Sequence, residues 1–177
     1  MKFKTIDLVQ CSIFAAITSI LAQISIPLPF RVVPFTMQIL AVTLAGFLLG
    51  PKKAFISQIV YIFMGLIGLP VFTGFKGGID VILGPTGGFI IGFPIMAFMI
   101  GYISKKSSNL KNVIIVMFIA LFIDYFLGAS QFALIMNVNF KEALVTTVFP
   151  FVFFDSIKLI FVSLLGVKIK SRVLVKY

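Results

Sequence analysis

The chain has 177 residues, of which 60% are hydrophobic and 11% are charged, whereas a soluble domain carries about 25% charged residues, so the composition predicts an integral membrane protein. The net charge is +10, but the basic residues lie in short segments between apolar runs, which indicates membrane topology and not binding to nucleic acid. With one cysteine and no histidine, the composition also excludes a Cys/His metal site, an intramolecular disulfide and His-based acid–base catalysis.

Hydrophobic runs and helix breakers predict an all-α membrane protein with six transmembrane helices in one bundle. The bundle forms a single integral membrane domain over residues 1–177. The predicted helices cover about 8–26, 36–49, 54–69, 89–104, 113–136 and 143–167.

The basic residues predict the orientation of this bundle. If there are six spans, one side carries the eleven residues Lys2, Lys4, Lys52, Lys53, Lys105, Lys106, Lys111, Lys168, Lys170, Arg172 and Lys176. The opposite side carries Arg31, Lys76 and Lys141. The positive-inside rule then places both termini in the cytoplasm. The chain is thus expected to be a multi-pass protein of the cell membrane. One helix more or fewer would mix the two groups.

Two connectors rich in proline or glycine, 27–35 and 70–88, therefore face outward. Structureless loops of this length are uncommon in compact proteins and often serve as lids or binding loops, although plain connectors remain the alternative. The second, here called the glycine-rich connector, contains six large apolar residues that we expect to pack onto the bundle as a cover: Val71, Phe72, Phe75, Val81, Ile82 and Leu83.

Two charged residues, Asp155 and Lys158, lie inside the last apolar run. A charge at the bilayer centre costs about 2.5–3.5 kcal/mol on insertion scales, so these residues need each other or a polar ligand. Their spacing places them on nearly the same face of a helix, with the aspartate on the favourable N-terminal side for an ion pair. The alternatives are thus an intrahelical ion pair and a pocket for a polar solute.

Asp124 is a third charge within the membrane, near the middle of the fifth predicted helix. It could line the same cavity, pair with Lys158, or contact another helix. The neutral polar residues are expected to form mostly interhelical hydrogen bonds; they are Gln23, Gln38, Gln58, Gln131 and Asn137.

The glycine-rich connector ends in Gly84-Pro85-Thr86-Gly87-Gly88, just before the fourth predicted helix. Glycines at such a place allow backbone N–H groups to point at a ligand near a helix N-terminus. The segment lacks the Gly-Lys-Ser/Thr ending of a Walker motif, and a tight turn is the alternative.

The first predicted helix contains overlapping pairs of small residues four positions apart: Ser12/Ala16, Ala15/Ser19 and Thr18/Ala22. Small residues at this spacing allow another helix to approach closely. Packing within the bundle and docking of a partner protein are both compatible with this pattern.

The chain resembles a known family over essentially its whole length. The residues that carry the resemblance are Pro34-Phe-Thr-Met-Gln38, Leu44-Ala-Gly46, Leu49-Gly50, Gly68-Leu-Pro-Val-Phe72, Gly77-Gly78 and Gly84-Pro-Thr-Gly-Gly-Phe89. This ordered set is similar to that of BioY, the biotin-binding substrate component of energy-coupling factor (ECF) transporters.

The resemblance implies a six-helix protein that captures biotin from outside with high affinity. It also implies a partner module with a transmembrane coupling subunit and two cytoplasmic ATPases, which use the ATP, so that this chain needs no cofactor. The contact with the coupling subunit would fall on Ala15 and Ser19, where serine replaces the family's usual second alanine, and on the neighbouring Ser12 and Ala16.

The resemblance also implies where the ligand binds. The biotin-ring contacts of the family fall on Asp155, which would accept from the ureido N–H groups, and on Lys158, which would donate to the ureido oxygen or to the valerate carboxylate. Further expected ligand contacts are Gly84, Thr86, Gly87, Phe89 (where the family often has tyrosine), Asp80 (where a polar amide would be expected) and Asp124.

Two other functions are compatible with parts of the sequence. A self-sufficient secondary transporter could use Asp124, Asp155 and Lys158 as an ion relay, but the chain is small and shows no internal repeat. A membrane-embedded enzyme is disfavoured, because the sequence offers no histidine, no cysteine pair and no nucleophile–base pattern.

Overall fold

The computed structural model describes residues 3–26, 33–107 and 109–174, with side chains described as far as Gly166. Within these ranges the chain forms eight helices and one two-stranded sheet. In chain order they are α1 (Thr5–Gln23), β1 (Ser25–Ile26), β2 (Phe35–Thr36), α2 (Gln38–Leu49), α3 (Pro51–Leu66), α4 (Ile79–Leu83), α5 (Gly87–Lys106), α6 (Leu110–Met136), α7 (Phe140–Thr147) and α8 (Phe149–Leu174).

Four helices of the described chain are long and apolar enough to cross a membrane: α1, α5, α6 and the part of α8 up to Gly166. Helix α2 is a shorter apolar helix. Large apolar side chains such as Phe122 and Leu134 are exposed on the outside of the bundle, as expected where lipid is the solvent. The prediction of a mostly helical, multi-pass membrane protein is therefore confirmed.

Helix α5 is the centre of the bundle and packs against α2, α3 and α6. Helix α1 lies at the periphery, where it contacts α2 and α3, and α8 packs against α2 and α6. Small residues permit the close contacts: a side chain at Gly46 of α2 would lie 2.8 Å from the carbonyl oxygen of Ala97 in α5. This arrangement brings α2, α5, α6 and α8 around one space.

The last predicted helix, 143–167, differs from the structure in two ways. The helical chain begins earlier, at Phe140, because the Asn139 side chain caps α7 by accepting a hydrogen bond from the Glu142 N–H at 2.8 Å. It is also interrupted at Val148, between α7 and α8. Pro150, in the first turn of α8, has no N–H with which to continue the helical hydrogen bonds.

A short sheet, not predicted from the sequence, joins the residues at either end of the first connector. Strands β1 and β2 pair antiparallel, with Ser25 opposite Thr36 and Ile26 opposite Phe35. These residues had been assigned to the end of the first helix, the connector 27–35 and the start of the second helix. Residues 27–32 of that connector lie outside the described residues.

The glycine-rich connector is folded. Phe72 and Lys76 exchange two backbone hydrogen bonds, and α4 lies within the predicted loop. Among the residues expected to cover the bundle, Val71, Phe72 and Ile82 are buried. Phe75 and Leu83, by contrast, are 72% and 62% exposed. The connector therefore packs onto the bundle through about half of its large apolar side chains.

Candidate ligand-binding site

A cavity of about 140 Å³ lies between the bundle and the glycine-rich connector. This is about ten times the space that one water molecule requires, so the cavity is large enough for a small solute. Its walls are mostly apolar, with a few polar groups, and the lining residues are Val33, Pro34, Phe35, Thr36, Gln38, Ile39, Phe72, Thr73, Lys76, Val81, Thr86, Phe89, Ile90, Phe93, Asp124, Tyr125, Thr147, Phe151 and Asp155.

Asp155 and Lys158 of α8 form an ion pair at 2.7 Å and are only 4% and 7% exposed. The Lys158 ammonium also donates to the carbonyl oxygen of Thr36 at 2.6 Å, and it lies 4.0 Å from the centre of the Phe35 ring. The short sheet positions both of these partners. Asp155 lines the cavity, whereas Lys158 lies beside it, so the lysine charge is compensated by protein groups in this structure.

Tyr125 of α6 completes the surroundings of the Asp155 carboxylate. Its hydroxyl donates to Oδ2 of Asp155 at 2.6 Å, while Lys158 donates to Oδ1. Tyr125 is not among the predicted site residues, although a tyrosine inside an apolar helix needs a hydrogen-bond partner and could have been identified on that ground. The three side chains form a buried polar group, here called the α6–α8 cluster, that orients one carboxylate along the cavity wall.

Asp124 lies next to Tyr125 in the sequence but in a different environment. It is fully buried, and neither of its carboxylate oxygens has a hydrogen-bond partner in the part of the chain that the structure describes. One oxygen packs against the backbone of Gly92 in α5. Asp124 lines the cavity, as one of its predicted roles requires, and the described ion pair of Lys158 is with Asp155 and not with Asp124.

The segment 84–89 contributes to the cavity through side chains and not through its glycines. Thr86 and Phe89 line the cavity, but Gly84 and Gly87 do not. A side chain at Gly87 would overlap the carbonyl oxygen of Ile82, and Gln131 of α6 donates to the carbonyl oxygens of Ile82 and Gly84 at 2.7 and 2.8 Å. In this structure the glycines therefore allow α4, α5 and α6 to pack closely.

Two charged residues of the glycine-rich connector occupy places that the sequence did not reveal. Asp80, a predicted ligand contact, is exposed and does not line the cavity. Lys76, which enters the sequence prediction only as a topology signal, is exposed and lines the cavity at the solvent-exposed end of the cavity.

Gln38 joins the bundle to the connector. Its side-chain nitrogen donates to the Tyr61 hydroxyl at 2.7 Å, and that hydroxyl donates to the carbonyl oxygen of Val71 at 3.3 Å. Its side-chain oxygen accepts from the hydroxyls of Thr36 and Thr73, both at 3.0 Å. All of these groups lie at the cavity or directly behind it, so the predicted interhelical role of Gln38 also organises the site.

Gln23, near the end of α1, also binds the connector. Its side-chain nitrogen donates to the carbonyl oxygens of Val71 and Phe72 at 3.3 and 3.1 Å. Its side-chain oxygen accepts from the N–H of Phe75 at 2.8 Å. One amide therefore satisfies three backbone groups of the segment that carries Phe72, Thr73 and Lys76 into the cavity wall.

The small residues of α1 lie on two different faces. Ala15 is fully buried against the bundle, together with Thr18 and Ala22. Ser12 and Ala16 are exposed and Ser19 is half-buried. In this structure the face of α1 that carries Ala15 packs within the chain, and the exposed small residues are Ser12 and Ala16.

A multi-pass helical bundle that encloses an apolar-walled cavity with an oriented buried carboxylate belongs to the class of membrane proteins that bind a small polar solute. The chain belongs to the BioY family, whose family model matches residues 1–174. The resemblance inferred from the sequence motifs is thus confirmed.

Curated relatives and a solved structure agree with this assignment. The chain is 42% identical to "Probable biotin transporter BioY" of Pyrococcus horikoshii, over 89% of this chain and 91% of the relative. It is 38% identical to "Biotin transporter BioY" of Thermotoga maritima, over 93% and 96% of the two chains. A crystal structure described as the S-component for biotin from an ECF-type ABC transporter superposes with a TM-score of 0.86 at 29% identity, covering 96% of this chain and 95% of that one.

Proposed function

We propose that this chain captures biotin with high affinity and acts as the substrate-specific component of an ECF-type ABC transporter. The observation that carries the proposal is the buried Asp155 carboxylate on the cavity wall, oriented by Lys158 and Tyr125, in a chain of the BioY family. The role is binding and delivery, with no covalent change to the ligand.

The chemistry of biotin fits the cavity. Its ureido group has two N–H donors and one carbonyl acceptor, and its sulfur-containing ring and aliphatic chain are apolar. A carboxylate already held by two donors keeps lone pairs free for a ureido N–H, and such charge-assisted hydrogen bonds are about twice as strong as neutral ones. Phe89, Phe93 and Phe151 supply apolar wall for the remainder. The N–H groups of the ureido ring therefore bind at the α6–α8 cluster.

The membrane arrangement that we propose has six spans, with α2 and α3 as the two shorter ones beside α1, α5, α6 and the α7–α8 segment. Both termini are then cytoplasmic, which is supported by the distribution of basic residues. In this orientation the glycine-rich connector faces outward, toward the source of the vitamin.

The partners that we propose are a transmembrane coupling subunit and two cytoplasmic ATPases, which hydrolyse the ATP. Ser12 and Ala16 on the exposed face of α1, with the half-buried Ser19, form the surface that suits close approach of another helix. The hydroxyls of Ser12 and Ser19 do not hinder this approach, because they donate hydrogen bonds to the backbone of their own helix, at 3.1 and 2.9 Å.

Calorimetry with the chain purified alone in detergent tests the binding proposal. We expect tight, stoichiometric binding of biotin. Amides of similar size that lack the ureido group should bind weakly or not at all. Absence of biotin binding by a folded, monodisperse sample would contradict the proposal.

The alternative of a self-sufficient secondary transporter needs a separate experiment. Proteoliposomes that contain the chain alone, or the chain with a coupling subunit and ATPases, are loaded with ATP and supplied with labelled biotin. We expect uptake against a gradient only with the complete module. Uptake by the chain alone that follows an imposed ion gradient would favour the relay of Asp124, Asp155 and Lys158.

A further inference from the structure

The charges that line the cavity are separated by depth. Asp124 and Asp155 are 0% and 4% exposed and lie at the buried end. Lys76 lies at the exposed end, and it is the one cation among the lining residues of the described chain. A ligand in this cavity therefore meets acidic groups deep in the bundle and a basic group at the mouth.

The buried end is unsuited to a ligand carboxylate. The Asp155 carboxylate at this end is already paired with Lys158, so a ligand carboxylate placed there would lose its hydration without meeting a free cation of the described chain. Lys158 does not line the cavity, and its ammonium is already bound to Asp155 and to the Thr36 carbonyl oxygen. An anionic group on the ligand is consequently directed toward the mouth.

The backbone of Lys76 is held in a defined position. Its N–H and carbonyl group both pair with Phe72, at 3.2 and 2.9 Å, and Phe72 is 1% exposed and packs edge-on against Tyr61. The adjoining turn is held by Gln23 through Phe75. The lysine side chain thus begins from a fixed point at the cavity rim, which lowers the entropy lost when its ammonium binds an anion.

We infer that Lys76 binds the carboxylate of the ligand, and that biotin therefore lies with its ureido ring at the α6–α8 cluster and its acid at the glycine-rich connector. This inference rests on the proposed function and adds the direction of the ligand and a residue that recognises its charged end. It also assigns the carboxylate to Lys76 and not to Lys158.

The test compares biotin with biotin amide, which keeps the ring and chain but lacks the negative charge. We expect Lys76→Gln to weaken biotin binding roughly two- to fivefold, the range typical of a partly exposed ion pair, and to leave biotin amide binding unchanged. Lys141→Gln removes a cation from the exposed surface of α7, and this control should alter neither affinity. The Lys76 effect should also shrink in 1 M salt, because exposed ion pairs are screened.

Charge reversal gives a second, independent readout. Lys76→Glu should weaken biotin further and should strengthen binding of a biotin analogue that ends in an amine. Failure of the wild-type chain to bind biotin would contradict the proposed function itself. Tight wild-type binding with an unchanged ratio of biotin to biotin amide affinity in Lys76→Gln would leave that function intact and overturn the role of Lys76.

Discussion

The α6–α8 cluster and the glycine-rich connector form opposite parts of the cavity wall and are held in place by different interactions. The cluster is buried and charged: a 2.6 Å hydrogen bond from Tyr125 to Asp155 links α6 to α8, and the 2.7 Å ion pair lies within α8. The connector is partly exposed and is held by neutral hydrogen bonds of 2.7–3.3 Å and by a few buried apolar side chains. If the proposed function is correct, we expect substitutions in the cluster to have the largest effect on affinity and substitutions that loosen the connector to act on the dissociation rate.

The largest expected effect is on the cluster. Asp155→Ala removes the ligand acceptor and leaves the buried Lys158 ammonium without its partner, a change that costs about 3–5 kcal/mol in comparable pairs. We expect biotin affinity measured by calorimetry to fall at least about 100-fold. Glu142→Ala, which removes an exposed carboxylate from α7, is the matched control.

Because Asp155→Ala could also disturb folding, Asp155→Asn and a thermal melt accompany it. Asparagine keeps the shape but loses the charge. Normal biotin binding by both folded variants would show that the ion pair is purely structural.

A smaller loss is expected for Tyr125→Phe, which removes one hydrogen bond and leaves the ion pair intact. A hydrogen bond to a charged group contributes about 1.5–3 kcal/mol, and part of this is regained by rearrangement, so affinity should fall roughly tenfold. Tyr102→Phe changes an exposed tyrosine of α5 and should have no effect. If Tyr125→Phe binds biotin as tightly as the wild-type chain does, the Tyr125 hydroxyl does not contribute to biotin binding.

Substitution in the region that holds the connector should have a smaller effect on binding, and this effect should lie in the dissociation rate. Gln23→Ala removes three hydrogen bonds to the connector, and we expect the biotin dissociation rate in stopped-flow exchange to rise about fivefold, which corresponds to about 1 kcal/mol. The matched control is Gln10→Ala, at the other end of α1, where the side chain accepts from Lys53 at 2.7 Å. A Gln23→Ala variant whose association rate alone falls would contradict the assignment of retention to the connector.

The smallest change in affinity is expected for Asp124, which shares the buried end of the cavity but lacks the partners of Asp155. Asp124→Leu replaces a buried polar group that has no partner in the described chain by an apolar one of similar size, so the melting temperature should rise by about 2–4 °C for each kcal/mol gained. Biotin affinity should change less than threefold. A loss as large as that of Asp155→Ala would place Asp124 in direct contact with the ligand.

The sequence was sufficient to identify the long helices and Asp155, because apolar length and an intramembrane charge are local signals. It was insufficient to predict that Tyr125 and Lys76 line the cavity. The contact of Tyr125 with Asp155 joins residues 30 positions apart on different helices, and no periodicity encodes it. Lys76 was interpreted as a topology signal, since its nearness to the cavity depends on how the connector folds back over the bundle.

The motif Gly84-Pro85-Thr86-Gly87-Gly88 shows why a glycine-rich segment does not by itself identify a ligand-binding loop. A glycine is required both where a backbone approaches a ligand and where two helices approach each other. Only the position of Gly87 against the Ile82 carbonyl oxygen and Gln131 distinguishes the two in this chain. The short sheet was missed for a related reason, since two-residue strands leave no repeating pattern to detect.

The amide of Gln23 makes the tilt of α1 and the position of the glycine-rich connector interdependent. Helix α1 is the least buried of the four candidate spans in the described chain, because only 22% of its apolar stretch lies inside the bundle. The surrounding lipid therefore has the greatest access to α1. A bilayer thinner or thicker than its apolar length shifts such a helix at modest cost. We therefore expect biotin to dissociate at different rates from nanodiscs made with short and long acyl chains, and Gln23→Ala to abolish that difference. Membrane thickness would then act on the retention of biotin through the connector wall of the cavity and not through the α6–α8 cluster.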